Sequence, residues 1–271
     1  SLVFGGSAGG ILKNGDRYGQ SMALLKDPQG QPTHLVTHAN LADSLGNYVG
    51  RPFITPVDDP TNPVGLDMPG QAAGSRFGSG GAIVGDVTGD GFPDLVVGAP
   101  HVEPPNKQQP NTGAAYLYRG TAAGFETTPA LTLSGFTGHG WGDELGWKVS
   151  SAGDFNGDGA PDIAVLARAE DEPATFNDSY HVDTAQTDAN GNTLNVCDGK
   201  RNNSGAVYIF LGVVADPAQP QGALPSTTPA FVFYGTQAGS YDEQLSDGFD
   251  FNNDGYDDLV IGSHRNDYVN S

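Results

Sequence analysis

Three aspartates fall within nine residues of the stretch GDVTGDGFPDLVVGAP (85–100), at Asp86, Asp90 and Asp94. Carboxylates held so close repel one another, and an apolar run follows at once, so the chain has no room to splay them into water. A hard cation among them would offset the repulsion. The oxygen-bearing side chains fall at positions 1, 3, 5 and 9 of a loop: Asp86, Thr88, Asp90 and Asp94. The same spacing recurs in GDFNGDGAPDIAVLAR (153–168), with Asp154, Asn156, Asp158 and Asp162, and in FDFNNDGYDDLVIGSH (249–264), with Asp250, Asn252, Asp254 and Asp258. Glycine holds position 6 each time, as Gly91, Gly159 and Gly255, where a sharp turn calls for a positive φ. Position 7 offers a backbone carbonyl, from Phe92, Ala160 and Tyr256. That many hard oxygen donors suit Ca²⁺, at three sites, better than zinc or copper, and better than Mg²⁺, which keeps several waters in an octahedral shell. The last aspartate of each loop could fill the shell by binding through both oxygens. Carboxylates so engaged should have low pKa values and are not poised for acid–base catalysis.

A solvated acidic turn is the plain alternative, and one D-x-N-x-D-G run would not exclude it. Three copies in register, each leading into an apolar strand, argue against it. An EF-hand needs a bidentate Glu at position 12 and flanking helices. Position 12 here is Val97, Val165 or Ile261, inside an expected strand. Dockerin-type repeats fail in the same way, because they too continue into a helix.

The elements that must hold these loops form a repeat. A large residue precedes each opening aspartate by nine positions: Phe77, Leu145 and Tyr241. Glycine follows it as Gly78 and Gly146, and Asp242 takes that place in the third copy. A fourth, decayed copy lies upstream, with Tyr18 and Gly19 before Asp27. Its loop is one residue shorter and lacks the second and third aspartates, and His34 stands where the last one would be, read as a surface residue. Each loop leads to a short apolar strand, then to a second strand such as GAAYLYRG (113–120) or GAVYIFLG (205–212), then to a third such as ALTL (130–133) or FVFYG (231–235). These runs are too short, and too rich in β-branched and aromatic residues, for helices. Four short antiparallel strands cannot bury both faces alone, and stacking copies around an axis gives an all-β propeller. A β-sandwich would not explain a loop and strands repeated in fixed order.

With these motifs the chain resembles the FG-GAP repeat family, known from the propeller of integrin α-subunits and from bacterial surface and secreted proteins. Phe77-Gly78 and Gly98-Ala99-Pro100 match the name literally; Leu145-Gly146, Leu166-Ala167-Arg168 and Gly262-Ser263-His264 depart from it. The resemblance implies a propeller with each Ca²⁺ in the hairpin between the first and second strands of a blade, and a bacterial-type surface or secreted protein. It implies a role in adhesion, ligand binding or scaffolding, without catalysis. The whole chain, 1–271, reads as one propeller or part of one. Its blades run over 17–75, 76–143 and 144–238, with partial blades at 1–16 and 239–271. The ends resemble complementary halves of one blade. The ring could close on itself with four blades, belong to a longer propeller, or pair half-blades between subunits; the fragment reading is favoured, because exposed sheet edges invite association.

The totals agree with this reading. There are 32 acidic and 12 basic residues, a net charge of −20, which argues against nucleic acid and anionic membranes. No apolar run reaches the length of a membrane span. No signal peptide is evident, so the chain reads as a mature form or excised fragment, expected outside the cell or on its surface. Cys197 is the single cysteine, so no internal disulfide framework exists.

Other candidates carry less. Gly5-Gly6-Ser7-Ala8-Gly9 matches G-x-S-x-G but lacks the helix that a nucleophile elbow needs. Gly78-Ser79-Gly80 begins a dinucleotide-type pattern where a loop follows instead of a helix. The six histidines show no metal-ligand spacing. The polar insertion 168–204 is the candidate surface for a protein or glycan ligand, with decoration as the equal alternative. It contains an Asn190-Gly191 turn signal and Asp188, Asn190 and Asn192, whose glycine is misplaced for an ion loop. Asn177-Asp178-Ser179 and Asn202-Asn203-Ser204 match glycosylation acceptors. Two functions follow: a non-enzymatic calcium-stabilised extracellular propeller, or an accessory, carbohydrate-binding domain of a secreted enzyme whose catalytic part lies outside the chain.

Overall fold

The computed structural model describes residues 18–39, 49–66, 74–103, 111–134, 142–170, 186–187, 193–194, 204–235 and 242–263, and no helix occurs among them. Gly5–Gly9, Tyr241, Cys197, both glycosylation-type asparagines and the Asp188, Asn190 and Asn192 group lie outside the described residues.

Strands follow one another as antiparallel meanders. The first sheet is β1 (Tyr18–Lys26), β2 (Pro32–Ala39), β3 (Arg51–Pro56) and β4 (Val64–Gly65), hydrogen-bonded in that order. The second holds β5 (Gly81–Gly85), β6 (Asp94–Ala99), β7 (Ala114–Tyr118) and β10 (Leu131–Ser134) in order; a small ribbon of β8 (Gly120–Thr121) and β9 (Gly124–Phe125) precedes β10. The third holds β11 (Leu145–Gly153), β12 (Asp162–Ala167), β15 (Ala206–Phe210) and β16 (Phe231–Tyr234). Within the insertion β13 (Gln186–Thr187) pairs with β14 (Thr193–Leu194), flanking the Asn190-Gly191 turn signal. A last hairpin pairs β17 (Asp242–Leu245) with β18 (Ile261–Ser263).

The first strands lie against one another in chain order: β1 by β5, β5 by β11, β11 by β17. This is the packing of propeller blades about an axis, and the fold is an all-β propeller built of such blades. The sequence patterns that announce the second and third strands do not announce β5 and β11, which are rich in glycine and small residues. Crowding at the axis is the reason. A Cβ on Gly81 of β5 would stand 1.9 Å from His38 Nε2, and one on Gly146 of β11 would stand 2.3 Å from the Ala114 carbonyl oxygen.

In the second and third sheets, β6, β7, β12 and β15 are buried along their whole length, so they read as unbroken apolar runs. On β6, Leu95 and Val97 join Val36 and Ile54 of the first sheet, with Phe77, Tyr116 and Tyr118. Val96 points the other way, into a cluster with Val149, Ile163, Tyr208 and Phe210 of the third sheet. On β12 the alternation repeats: Ile163 and Val165 face the second sheet, while Ala164 and Leu166 meet Leu245 and Leu259 of the last hairpin. Val260 is the counterpart of Val96, two residues past the last loop aspartate. It is 58% exposed where Val96 is fully buried, because no further blade follows it among the described residues.

Candidate metal centre

The three acidic loops are the turns of the β5–β6, β11–β12 and β17–β18 hairpins, all at one end of the sheets. Their internal hydrogen bonds repeat almost atom for atom. Asp86 accepts the N–H groups of Asp90 (3.0 Å) and Gly91 (2.8 Å) on its two oxygens. Asp154 does the same for Asp158 and Gly159, both at 2.9 Å. Asp250 accepts from Asp254 at 3.1 Å and Gly255 at 3.0 Å. The position-5 aspartates each accept the N–H two residues on, from Phe92, Ala160 and Tyr256. Two residues per loop take a positive φ. Gly91, Gly159 and Gly255 lie at 94°, 93° and 92°, as the spacing requires, and position 4 adds Gly89, Gly157 and Asn253 at 69°, 74° and 62°. Asparagine is the side chain that best tolerates that conformation, which accounts for its standing in for glycine at 253.

The last aspartate of each loop ties it to the sheet. Asp94 accepts Thr88 N–H at 3.0 Å and Gly120 N–H, beyond the end of β7, at 2.8 Å. Asp162 accepts Phe155 N–H at 3.0 Å and Gly212 N–H, past β15, at 2.8 Å. Asp258 accepts Phe251 N–H at 2.9 Å. The sequence reading missed Gly120 and Gly212; the glycine that ends the second apolar strand in both copies was the available signal. Asp94 and Asp162 are fully buried. Burial pushes Asp94 up to about 6, with Asp90 adding to the rise and the N–H groups of Gly120 and Thr88 opposing it. Asp162 is raised in the same way, by burial first and Asp158 second. This direction is opposite to the low values expected of ligating carboxylates; additional positive charge would be needed to bring them down.

Among the described residues no three His, Cys, Asp or Glu side chains converge closely enough to hold an ion between them. The carboxylates are turned onto the loop backbone instead. The residues nonetheless fit a hard cation. A carboxylate oxygen that accepts one N–H retains a second lone pair. The Thr88 hydroxyl is fully buried beside Asp94, whose carboxylate it helps to keep ionised, but it makes no well-aligned hydrogen bond. In the other two loops position 3 is an amide whose Nδ2 donates to the position-5 carboxylate, Asn156 to Asp158 at 2.8 Å and Asn252 to Asp254 at 2.9 Å.

The loops differ in what covers them. A strap between β15 and β16 crosses the first: Val213 N–H donates to the Val87 carbonyl at 2.9 Å and Ala223 N–H to the Thr88 carbonyl at 2.7 Å. The second is met by the last hairpin, where Asp257 exchanges hydrogen bonds with the Asp154 backbone at 2.8 and 3.1 Å. The third is exposed from Asp250 through Tyr256. In the decayed copy the β1–β2 turn closes on itself: Asp27 N–H donates to the Gln31 carbonyl at 2.8 Å, and Asp27 Oδ1 accepts from Gln29 and Gln31.

Residues 77–118 match the FG-GAP repeat. Integrin alpha-7 of Homo sapiens is 30% identical over 198 residues, which is 72% of this chain and 13% of that protein. Integrin alpha-X of Mus musculus is 29% identical over 201 residues, 73% of this chain and 14% of that protein. Phosphatidylinositol-glycan-specific phospholipase D of Bos taurus is 35% identical over 128 residues, 44% of this chain and 14% of that protein. The chain therefore spans a small fraction of the length of these relatives. All three are animal proteins and lend no support to the bacterial affinity expected from the sequence.

Proposed function

We infer, for a chain that belongs to the integrin-like FG-GAP repeat family, a calcium-stabilised extracellular propeller that binds a protein ligand or scaffolds an assembly and catalyses no reaction itself. The observation that carries this reading is the threefold repetition of one loop, in which carboxylates at positions 1, 5 and 9 are fixed by backbone N–H groups around the same two left-handed residues. Asp86, Thr88, Asp90 and Asp94 would hold one ion with the Phe92 carbonyl. Asp154, Asn156, Asp158 and Asp162 would hold a second with Ala160, and Asp250, Asn252, Asp254 and Asp258 a third with Tyr256. A bound ion supplies counter-charge. The protein's part is to pre-form the turn and seat it on the sheet.

The ligand surface belongs at the opposite end of the blades. There the two feet of insertion 168–204 are stapled together, Gly205 N–H to the Glu170 carbonyl at 3.1 Å and Ser204 Oγ to the same carbonyl at 3.4 Å. A rigid base under a long polar loop is a common way to present a recognition surface. The blade limits proposed are 17–75, 76–143 and 144–238. Val260 and Phe251, exposed on the last hairpin, favour a further blade or a second copy beside them.

A second reading draws on the phospholipase D relatives: an accessory, glycan-binding propeller of a secreted enzyme. A catalytic domain in the flanking sequence, or specific sugar capture on a glycan array, would decide for it.

Thermal melting with and without chelator tests the main reading. At calcium ten times the dissociation constant each site adds about 1.4 kcal/mol. Losing three sites should lower Tm by about 10 °C in a chain of this size. An unchanged melt in EDTA would remove structural calcium from the proposal.

A further inference from the structure

We propose that Arg119 is the resident cation of the 86–94 loop. It supplies counter-charge to Asp90, keeps this loop closed when divalent ions are withdrawn, and competes with a divalent ion for the Asp90 carboxylate. The competition rests on the calcium reading above; the counter-charge role does not.

Arg119 follows β7 directly, and its Nη1 lies 3.3 Å from Asp90 Oδ2. The same nitrogen donates to the Gln221 carbonyl of the strap that crosses the loop. Both side chains are largely shielded, at 20% and 10% exposure, so the pair is screened less than a surface ion pair. The other loops are built differently. Gly120 and Gly212 make the same bond to the last loop aspartate, so the residues before them correspond, and the third sheet places Leu211 where the second has Arg119. Asp158 and Asp254 receive a neutral amide instead, from Asn156 and Asn252. In the first loop position 3 is Thr88, whose side chain carries no NH₂ to donate. The guanidinium thus takes over the position-5 carboxylate in the one loop whose third residue lacks that donor.

The strap makes the arrangement close-fitting. A Cβ on Gly89 would stand 2.9 Å from the Val213 carbonyl oxygen, and one on Gly222 would stand 2.1 Å from that of Thr88. Arg119 is therefore held between a loop and a strap that have little freedom to separate. A divalent ion that engaged Asp90 Oδ2 would meet a full positive charge close to that oxygen. By reciprocity, whatever the arginine does to ion affinity the ion does to the arginine pair.

The test compares the full chain with its Arg119→Gln variant, which keeps a donor for the Gln221 carbonyl but loses the charge, and with Arg119→Leu, which copies the third sheet. Hydrogen exchange is followed in EDTA on peptides covering 86–94, 154–162 and 250–258. The 86–94 amides should exchange slowest of the three in the wild type and accelerate about tenfold in Arg119→Gln, with 154–162 unchanged. Calcium titration by calorimetry should show one site tightened by about three- to tenfold in the variant. If 86–94 exchanges as fast as 154–162 in wild-type protein without calcium, or if neither variant tightens a site in protein that binds calcium, the proposal is overturned. If wild-type protein takes up no calcium while Arg119→Gln still loosens only 86–94, the counter-charge role stands and the calcium reading fails.

Discussion

Asp94 is a fully buried carboxylate and Glu144 a largely shielded one, and they sit at opposite ends of the blades. Asp94, at the loop end, is held by two backbone N–H groups, and burial pushes its pKa up to about 6. Glu144, in the turn before β11, meets His101 Nε2 at 3.2 Å and Arg168 Nε at 2.7 Å. Burial works against its ionised form too, yet the hydrogen bonds and charges of His101 and Arg168 win and hold it below its ordinary value. Arg168 in turn lies 4.1 Å over the Trp147 ring. His101 follows β6, Arg168 follows β12, and Glu144 adopts a φ of 58° to reach both. One end of the molecule answers a buried charge with cations carried by the chain. At the other end Asp94 is met by backbone dipoles, which do not offset its burial, while the cation nearby, Arg119, pairs with Asp90 instead.

The largest expected effect comes from removing the loop-end carboxylate. Asp94→Ala leaves the Thr88 and Gly120 N–H groups without their acceptor in a buried place, at about 1–3 kcal/mol for each. A loss of about 3–4 kcal/mol in chemical denaturation, together with one calcium fewer in calorimetry, is the expected result. Full stability with unchanged stoichiometry would break the contrast. Next comes Arg168→Ala. It strips Glu144 of its closer cation and uncovers Trp147, and about 2 kcal/mol should be lost, discounted from the buried-pair range because Arg168 is 25% exposed. Calcium stoichiometry should not change, and Trp fluorescence should shift.

A smaller effect is expected from pH. The folded pKa of Glu144 is depressed, so its contribution is fully present above the unfolded value of about 4.3 and is lost as pH falls through the folded value. The stability gap between wild type and Glu144→Gln, about 1 kcal/mol at pH 7, should close in acid. A gap that widened below pH 4 would mean that the folded pKa of Glu144 is raised, not depressed.

The loops were legible in the sequence because their donors are local: every ligand candidate of a loop lies within nine residues, and glycine at position 6 fixes the turn. β6, β7, β12 and β15 were legible because burial on both faces writes an unbroken apolar run. The Arg119 pair, the Glu144 cluster and the strap were not. Arg119 reaches Asp90 across 29 positions and Gln221 across 102, and Glu144 joins partners 43 and 24 positions away. No spacing rule joins residues that meet only when blades stack. The axial strands were illegible for the opposite reason, since crowding there selects small residues with no periodic signature.

The finest test of the contrast is a pair of glycines. Gly30 and Gly91 both take a positive φ, 80° and 94°, and a Cβ on either would meet nothing within 4 Å. Alanine at each therefore costs backbone strain alone, about 1 kcal/mol. Gly30 sits in the β1–β2 turn, which closes through its own backbone and the single carboxylate of Asp27. Gly91 donates its N–H to Asp86, the opening carboxylate of an acidic loop. The two substitutions should be equal in EDTA. In saturating calcium Gly30→Ala should keep its cost unchanged, while Gly91→Ala should cost several tenths of a kcal/mol more, because a strained turn presents its donors to the ion less well. Equal costs in both conditions would mean that the acidic loop closes as the decayed one does, by its own backbone and carboxylate hydrogen bonds, and that its three carboxylates are tolerated without a cation.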